Sequence, residues 1–127
     1  MSHNEISGAI VDAACQLHAR LGPGLLESVY EELPSYELDR RNLKVERQKP
    51  MPVFYDGNKI ELGFRTDLVV EDIVLVELKS VETLAPVHKK QTLTYLKVSG
   101  LKLGLLINFG APLIKNGIIR IANGMPE

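Results

Sequence analysis

The chain lacks the features that mark secreted and membrane proteins. Its only cysteine is Cys15, so no disulfide can form within the chain and a reducing compartment is favoured. The longest apolar run, Leu103 to Ile107, is far shorter than the roughly 20 residues that cross a bilayer. The first residues, S-H-N-E, show no signal-peptide pattern. We therefore expect a soluble, cytoplasmic protein of one domain, residues 1–127.

Acidic residues are missing from one long stretch of the chain. Residues 83–126 contain no aspartate or glutamate but carry six basic side chains: Lys89, Lys90, Lys97, Lys102, Lys115 and Arg120. The net charge of −1 therefore conceals a positive C-terminal third of the kind that binds polyanions. A solvated lysine face without any partner is the common alternative.

Two apolar segments joined by a short polar turn form the centre of the sequence. Residues 65–80, R-T-D-L-V-V-E-D-I-V-L-V-E-L-K-S, predict two β-strands with a tight turn at Glu71-Asp72. Within these strands lie three charged residues where a core strand would carry valine or isoleucine: Asp67, Glu77 and Lys79.

The spacing of these charged residues predicts that they share a face of the sheet. Strand side chains alternate, so Glu77 and Lys79 point one way and Leu78 the other. If residues 71–73 form a three-residue loop, Asp67 lies directly opposite Glu77.

Two carboxylates in opposed positions have Cβ atoms roughly 4.5–5.5 Å apart and repel each other unless a cation or a proton separates them. Mg²⁺ is a natural partner, because hard cations bind carboxylate oxygens and leave positions open for substrate. Lys79 would add a positive charge beside it. The alternative is a salt-bridged strand end, with Glu77 paired to Lys79 and Asp67 to Arg65.

The first third of the chain predicts two helices. Residues 4–21 carry an apolar stripe at three- and four-residue steps, with Asn4 as N-cap and Cys15 as a buried, inert thiol. His18 lies beside the stripe, where a histidine is more often structural than functional. Gly22-Pro23-Gly24 ends this helix.

The second predicted helix runs from about residue 25 to 42. Pro34 removes a backbone donor within it, so we expect a kink or a break there. Glu27 lies in its first turn, where it either points towards a site or only favours the helix dipole.

The remaining elements alternate between strand and helix. Strands are predicted over 44–55, 59–70, 101–109 and 114–121. The first two of these strands and the second strand of the central hairpin form an antiparallel meander. Pro50 and Pro52 mark the first strand as an edge or a bulge. Pro86 and Gly100 bound a third helix.

The third helix predicts two distinct faces. Val87, Gln91, Tyr95 and Val98 fall on one side, so we expect Gln91 to be buried and hydrogen-bonded towards the carboxylates. Leu93 and Leu96 point elsewhere and predict a second contact surface, suited to a homo-oligomer.

The segment Gly24-Leu-Leu-Glu27-Ser-Val-Tyr30 matches the signature G-x-x-E-x-x-Y, and the chain resembles the GxxExxY proteins of the PD-(D/E)XK nuclease superfamily. Further matching segments, spread over nearly the whole chain, are G-F-R-T-D-L-V-V, V-E-L-K-S-V, Q-T-L-T-Y-L-K and G-L-L-I-N-F-G. The resemblance implies an α/β fold in which helices flank a mixed, restriction-endonuclease-like central sheet.

The resemblance also implies a role for each matching residue. Asp67, Glu77 and the Leu78 carbonyl would hold Mg²⁺, or Mn²⁺ in its place. Lys79, Glu27 and Gln91 would be catalytic, with Tyr30, Tyr95 and His18 in support. If the protein is a nuclease, the acid-free C-terminal third predicts that nucleic acid, DNA or RNA, contacts Lys89, Lys90 and Lys97, with His88 nearby.

Two departures from the superfamily pattern stand out. Thr66 replaces the proline before Asp67, a position expected to touch no ligand, and Pro34 interrupts the second helix. The implied function is Mg²⁺-dependent hydrolysis of phosphodiester bonds. The alternatives are a catalytically silent nucleic-acid-binding module and a protein-interaction module with the same fold.

Overall fold

The protein folds into three helices and five strands, and a computed structural model describes residues 1–125. The elements in chain order are α1 (His3–Leu21), α2 (Glu27–Arg40), β1 (Val45–Tyr55), β2 (Asn58–Val70), β3 (Val74–Lys79), α3 (Pro86–Ser99), β4 (Leu103–Asn108), a short 3-10 helix (Ile114–Gly117) and β5 (Ile118–Ala122). No helix among residues 1–125 is long and apolar enough to cross a membrane.

The five strands form one mixed sheet in the order β1-β2-β3-β4-β5. β1, β2 and β3 are an antiparallel meander, as predicted, and β5 pairs antiparallel with β4. β3 and β4 are parallel, because α3 returns the chain to the same end of the sheet. The predicted α/β class with a mixed sheet between helices is confirmed.

The sheet is covered on both faces, which explains why β3 and β4 are apolar almost throughout. One face packs on α1 and α2 through a large core that includes Ile6, Ile10, Leu38, Val76 and Leu78. The other face packs on α3 through a smaller core of Leu75, Leu96, Leu106 and Ile121.

α3 packs on the sheet through a side that differs from the prediction, although Tyr95 does pack beside the smaller core. Leu96 is fully buried against the sheet and Leu93 packs beside it, whereas Val87 is 62% exposed. The proposed oligomer face at Leu93 and Leu96 is therefore wrong, since the protein's own core occupies it. Thr92 can be buried because its hydroxyl donates to the carbonyl of His88 within the helix.

The ends of the helices have specific stop and start signals. Ser2, rather than Asn4, caps α1, and it forms a capping box with Glu5. Gly100 ends α3 with a left-handed φ of 78°. α2 continues through Pro34, which is buried, so the predicted break does not occur. Cys15 is half-buried in α1.

The hairpin between β2 and β3 has the predicted register. Val70 pairs with Val74, and the loop residues Glu71 and Asp72 have φ values of 52° and 62°. Lys44 stabilises this loop: its N–H donates to Glu71 Oε2, and its Nζ contacts the carboxylate of Asp72.

β1 is an edge strand with an irregular outer half. Pro50 and Pro52 lie within it, and its register with β2 shifts between Met51 and Val53. Both readings of the prolines, edge and bulge, are thus confirmed. Beyond this point β1 and β2 continue as a two-stranded ribbon that exposes Phe54, Tyr55, Ile60 and Leu62.

Candidate active site

Asp67 and Glu77 meet where β2 and β3 diverge. The paired positions of the two strands extend from Val70–Val74 to Leu68–Val76, and continuing this register places Asp67 opposite Glu77. In place of further ladder bonds, side chains bind the main chain. The N–H of Asp67 donates to Glu77 Oε1 at 3.2 Å, and the N–H of Leu78 donates to Asp67 Oδ2 at 2.8 Å.

Glu77 is buried although it is acidic, with 6% of its surface exposed. Burial, and then the charge of Asp67, raise the pKa of the Glu77 carboxyl to about 7. A hydrogen bond from the Thr66 hydroxyl at 2.8 Å, the Asp67 N–H and the charge of Lys79 oppose this rise. Ionised Glu77 is therefore poorly compensated by the protein alone.

Asp67 lies at the floor of a cavity of about 250 Å³ between the sheet and α2. The lining residues are Glu27, Ser28, Glu31, Gln48, Asp67 and Leu78. While Asp67 Oδ2 accepts from Leu78, its Oδ1 accepts from the side-chain amide of Gln48 at 3.1 Å. The Asp67 carboxylate is thus fixed from two sides.

The loop before α2 places Glu27 at the same cavity. The Tyr30 hydroxyl donates to the carbonyl of Gly22 and accepts from the N–H of Leu25, while Ser80 Oγ donates to the carbonyl of Leu25 at 2.6 Å. The Tyr30 ring stacks on Phe109 with centroids 4.4 Å apart. Glu27, the first helical residue, also lines a second cavity of about 460 Å³ beside this loop.

Lys79 is the last residue of β3 and is half-buried. Its charge lowers the pKa of Glu77, but no salt bridge joins the two side chains among residues 1–125. Arg65 does not pair with Asp67 either, and instead reaches the carbonyl of Gln48. The alternative of a salt-bridged strand end is therefore not the arrangement found.

α3 presents Tyr95 to the acidic pair. Burial, and then the charges of Glu77 and Asp67, raise the pKa of the Tyr95 phenol, and its ring stacks on Phe64 with centroids 4.1 Å apart. Gln91 lies one turn earlier on the same side of the helix. The prediction that Gln91 is buried is wrong, because its side chain is exposed.

The predicted basic footprint lies on the outside of α3. Lys89, Lys90 and Lys97 are exposed, whereas His88 is half-buried. The ring of His88 accepts a hydrogen bond from the N–H of Ala85 through Nδ1, so it caps the helix start. A role for His88 in contacting nucleic acid stays a prediction.

His18 has a structural contact with the loop after β4. It is buried, and its Nε2 is 2.8 Å from the carbonyl oxygen of Ala111. This contact ties α1 to the loop after β4, and it supports the structural interpretation of this histidine.

A family model described as the PD-(D/E)XK nuclease superfamily matches residues 4–121. The chain belongs to this superfamily. No curated protein matches the chain. A solved structure, titled as the crystal structure of SSO0001, is similar at 20% identity and a TM-score of 0.42, over 93% of this chain and 67% of that one.

The residues expected to carry the PD-(D/E)XK pattern are Thr66-Asp67 and Glu77-Leu78-Lys79. Thr66, at the position expected to touch no ligand, contacts Glu77, which is itself one of the predicted metal ligands. Its side chain is fully buried, and its hydroxyl donates to Glu77 Oε1 at 2.8 Å. A proline at this position could not make that bond, so the departure from the superfamily pattern supplies a donor to the buried carboxylate.

Two residues of the candidate site were missed by sequence reasoning. Glu31 accepts hydrogen bonds from Arg47 and from the amide of Gln48, and both Glu31 and Gln48 line the cavity. Glu31 lies four residues after Glu27, on the same side of a helix, which is the one signal that could have found it. Gln48 carries no comparable signal.

Proposed function

We propose that this PD-(D/E)XK superfamily member hydrolyses phosphodiester bonds of nucleic acid with a divalent cation, Mg²⁺ or Mn²⁺. The cation would be held by Asp67, Glu77 and the carbonyl of Leu78. The observation that carries the proposal is the juxtaposition of two carboxylates from adjacent strands, one of them buried, next to an open cavity.

The residues present fit a divalent cation. Burial and the charge of Asp67 disfavour ionised Glu77, and a positive ion between the two carboxylates removes both costs. Residues 1–125 contain no cluster of three or more His, Cys, Asp or Glu side chains arranged to hold a metal. A donor set of two carboxylates and a carbonyl suits Mg²⁺, which retains waters and binds substrate phosphates.

When bound, such a cation polarises a phosphate and lowers the pKa of water. Side chains of the protein would stabilise the developing charge and orient the substrate. Lys79 is half-buried and its charge acts on Glu77; it would stabilise the negative charge that develops on the phosphate. Glu27 lines the cavity from α2, and exposed Gln91 lies one turn before Tyr95 on α3; both would orient substrate.

Nucleic acid is the substrate that the charge distribution favours. The cavity itself is lined with acids, so a phosphate cannot enter it without a cation. Lys89, Lys90 and Lys97 supply exposed positive charge on α3, the helix that also carries Tyr95 and Gln91. These lysines would bind the backbone on either side of the cleaved phosphate.

Calorimetric titration of Mg²⁺ and Mn²⁺ tests this proposal directly, with wild type compared against Asp67→Asn. We expect wild type to bind one or both ions and Asp67→Asn to bind neither. Asp39→Asn, an exposed aspartate near the end of α2, is the matched control and should bind as wild type does.

The same preparations should be incubated with single- and double-stranded DNA and RNA. Ion-dependent cleavage that Asp67→Asn abolishes supports the nuclease. Wild type that binds nucleic acid but neither ion would overturn it in favour of a catalytically silent module.

A further inference from the structure

Gln48 has an unusual backbone for a residue within a strand. Its φ is 48°, in the left-handed region that a non-glycine residue rarely adopts. Neither glycine nor asparagine occupies the position, so the local sequence does not ask for this conformation. The surrounding contacts must enforce it.

Gln48 and its neighbour Arg47 on β1 bind the same partner. In a regular strand Arg47 and Gln48 would point to opposite faces of the sheet. Here both reach the same side chain on α2, since the Arg47 guanidinium contacts Glu31 Oε2 at 3.1 Å and the Gln48 amide donates to Glu31 Oε1.

The amide of Gln48 therefore bridges two acids on different elements. Its Nε2 donates to Glu31 Oε1 on α2 and to Asp67 Oδ1 on β2, 3.1 Å away. Carboxylates only accept hydrogen bonds, so the amide nitrogen, not its oxygen, must face both. Asp67 Oδ2 is held by the Leu78 N–H, which leaves Gln48 as the second restraint on this carboxylate.

We propose that Gln48 is a positioning residue of the acidic site, fixing the Asp67 carboxylate against α2 in the orientation that binds a divalent cation. The inference rests on the proposed function, since it concerns affinity for that cation. Side chains that orient metal-binding carboxylates in this way change metal affinity about 10–100-fold when they are removed.

Two substitutions separate the amide from the backbone. Gln48→Gly removes the amide and accommodates the positive φ freely, whereas Gln48→Ala removes the amide and keeps the strained conformation. If the amide positions Asp67, both variants lose Mn²⁺ affinity by a similar factor. Gln48→Ala, which keeps the strained backbone, should then unfold at a lower urea concentration than Gln48→Gly.

The experiment is a calorimetric titration of Mn²⁺ into the full chain, paired with urea unfolding without metal. We expect Gln48→Gly and Gln48→Ala to bind Mn²⁺ about 10–100-fold more weakly than wild type. The unfolding midpoint of Gln48→Gly should not fall. Asn42→Gly is the control, because Asn42 also has a positive φ, 65°, but does not line the cavity, and its Mn²⁺ affinity should be unchanged.

The outcomes distinguish this inference from the proposed function. Wild type that binds no Mn²⁺ overturns both. Wild type that binds while Gln48→Gly binds equally well, or more tightly, overturns the positioning role alone. A Gln48→Gly variant whose affinity and unfolding midpoint fall together also overturns it, because that result indicates a merely structural residue.

Discussion

The backbone N–H of Asp67 donates to the carboxylate of Glu77, so the two acids are joined through one main-chain group at the point where their strands separate. In a regular ladder this N–H would bind a backbone carbonyl of a neighbouring strand. Here the strand pairing gives way to bonds that orient carboxylates. The end of the hairpin therefore serves the site rather than the stability of the sheet.

Burial of Glu77 should make the protein less stable as the pH rises. The pKa of Glu77 is about 7 when folded and near 4.5 when unfolded, so between these values the folded state binds more protons. The free energy of unfolding then falls with rising pH, and the fall ends above pH 7. The full effect is about 3 kcal/mol.

Urea unfolding of wild type and Glu77→Gln at pH 5 and pH 8 measures this effect. The neutral amide cannot ionise, so the variant should show a smaller loss of stability between the two pH values than wild type. Glu61→Gln, an exposed strand glutamate, should leave the wild-type difference unchanged. Equal pH dependence in wild type and Glu77→Gln would contradict the buried, poorly compensated carboxylate.

Lys79→Ala should abolish cleavage while nucleic-acid binding changes little. The positive charge of Lys79 is proposed to act on the phosphate in the transition state. The affinity of the ground-state complex should therefore not depend on this charge. Single-turnover cleavage and equilibrium binding, measured on the same oligonucleotide, separate the two effects. Lys102→Ala, an exposed lysine of the C-terminal third, is the control. Loss of binding in step with cleavage would show that Lys79 only attracts substrate.

Tyr30→Phe should loosen the loop that leads to Glu27. The change keeps the stack on Phe109 but removes the hydroxyl that binds Gly22 and Leu25. We expect the free energy of unfolding to fall by about 1 kcal/mol, the worth of a typical hydrogen bond. Tyr36→Phe, on the exposed side of the same helix, should change stability far less. Identical urea midpoints for the two variants would refute the role of the hydroxyl.

Charge reversal at Lys89 and Lys90 should weaken binding to all nucleic-acid sequences alike. Each lost phosphate contact lowers the slope of log affinity against log salt by about 0.9 for duplex DNA. Fluorescence anisotropy at salt concentrations from roughly 50 to 200 mM measures this slope. Lys102→Glu/Lys115→Glu carries the same change in net charge on other exposed positions. If both pairs flatten the slope equally, α3 is not a specific footprint.

The hairpin of the site could be predicted because its signals are local. Branched apolar residues on both sides of Glu71-Asp72 specify two strands, and the loop length alone then places Asp67 opposite Glu77. The parallel pairing of β3 with β4 likewise follows from the helix between them.

The orientation of α3 could not be predicted from the apolar pattern. Val87 and Val98 indicate one inward face, yet Thr92 is buried on another because it satisfies its hydroxyl within the helix. The bridge from Gln48 to Glu31 is formed by a residue with a left-handed backbone, and no glycine or asparagine at this position indicates that conformation. Both features arise from tertiary contacts between elements distant in the sequence.

The two prolines of β1 have a consequence for solubility. An edge strand offers unpaired N–H groups to any other extended chain, and the ribbon beyond Met51 adds exposed Phe54 and Tyr55 to that hazard. Pro50 and Pro52 have no N–H, so neither position can donate to another strand. Pro50→Thr/Pro52→Thr should raise light scattering on concentration, while Pro112→Thr, in an exposed loop, should not. The same edge that frames the site is thus kept from recruiting further strands into self-associated sheets.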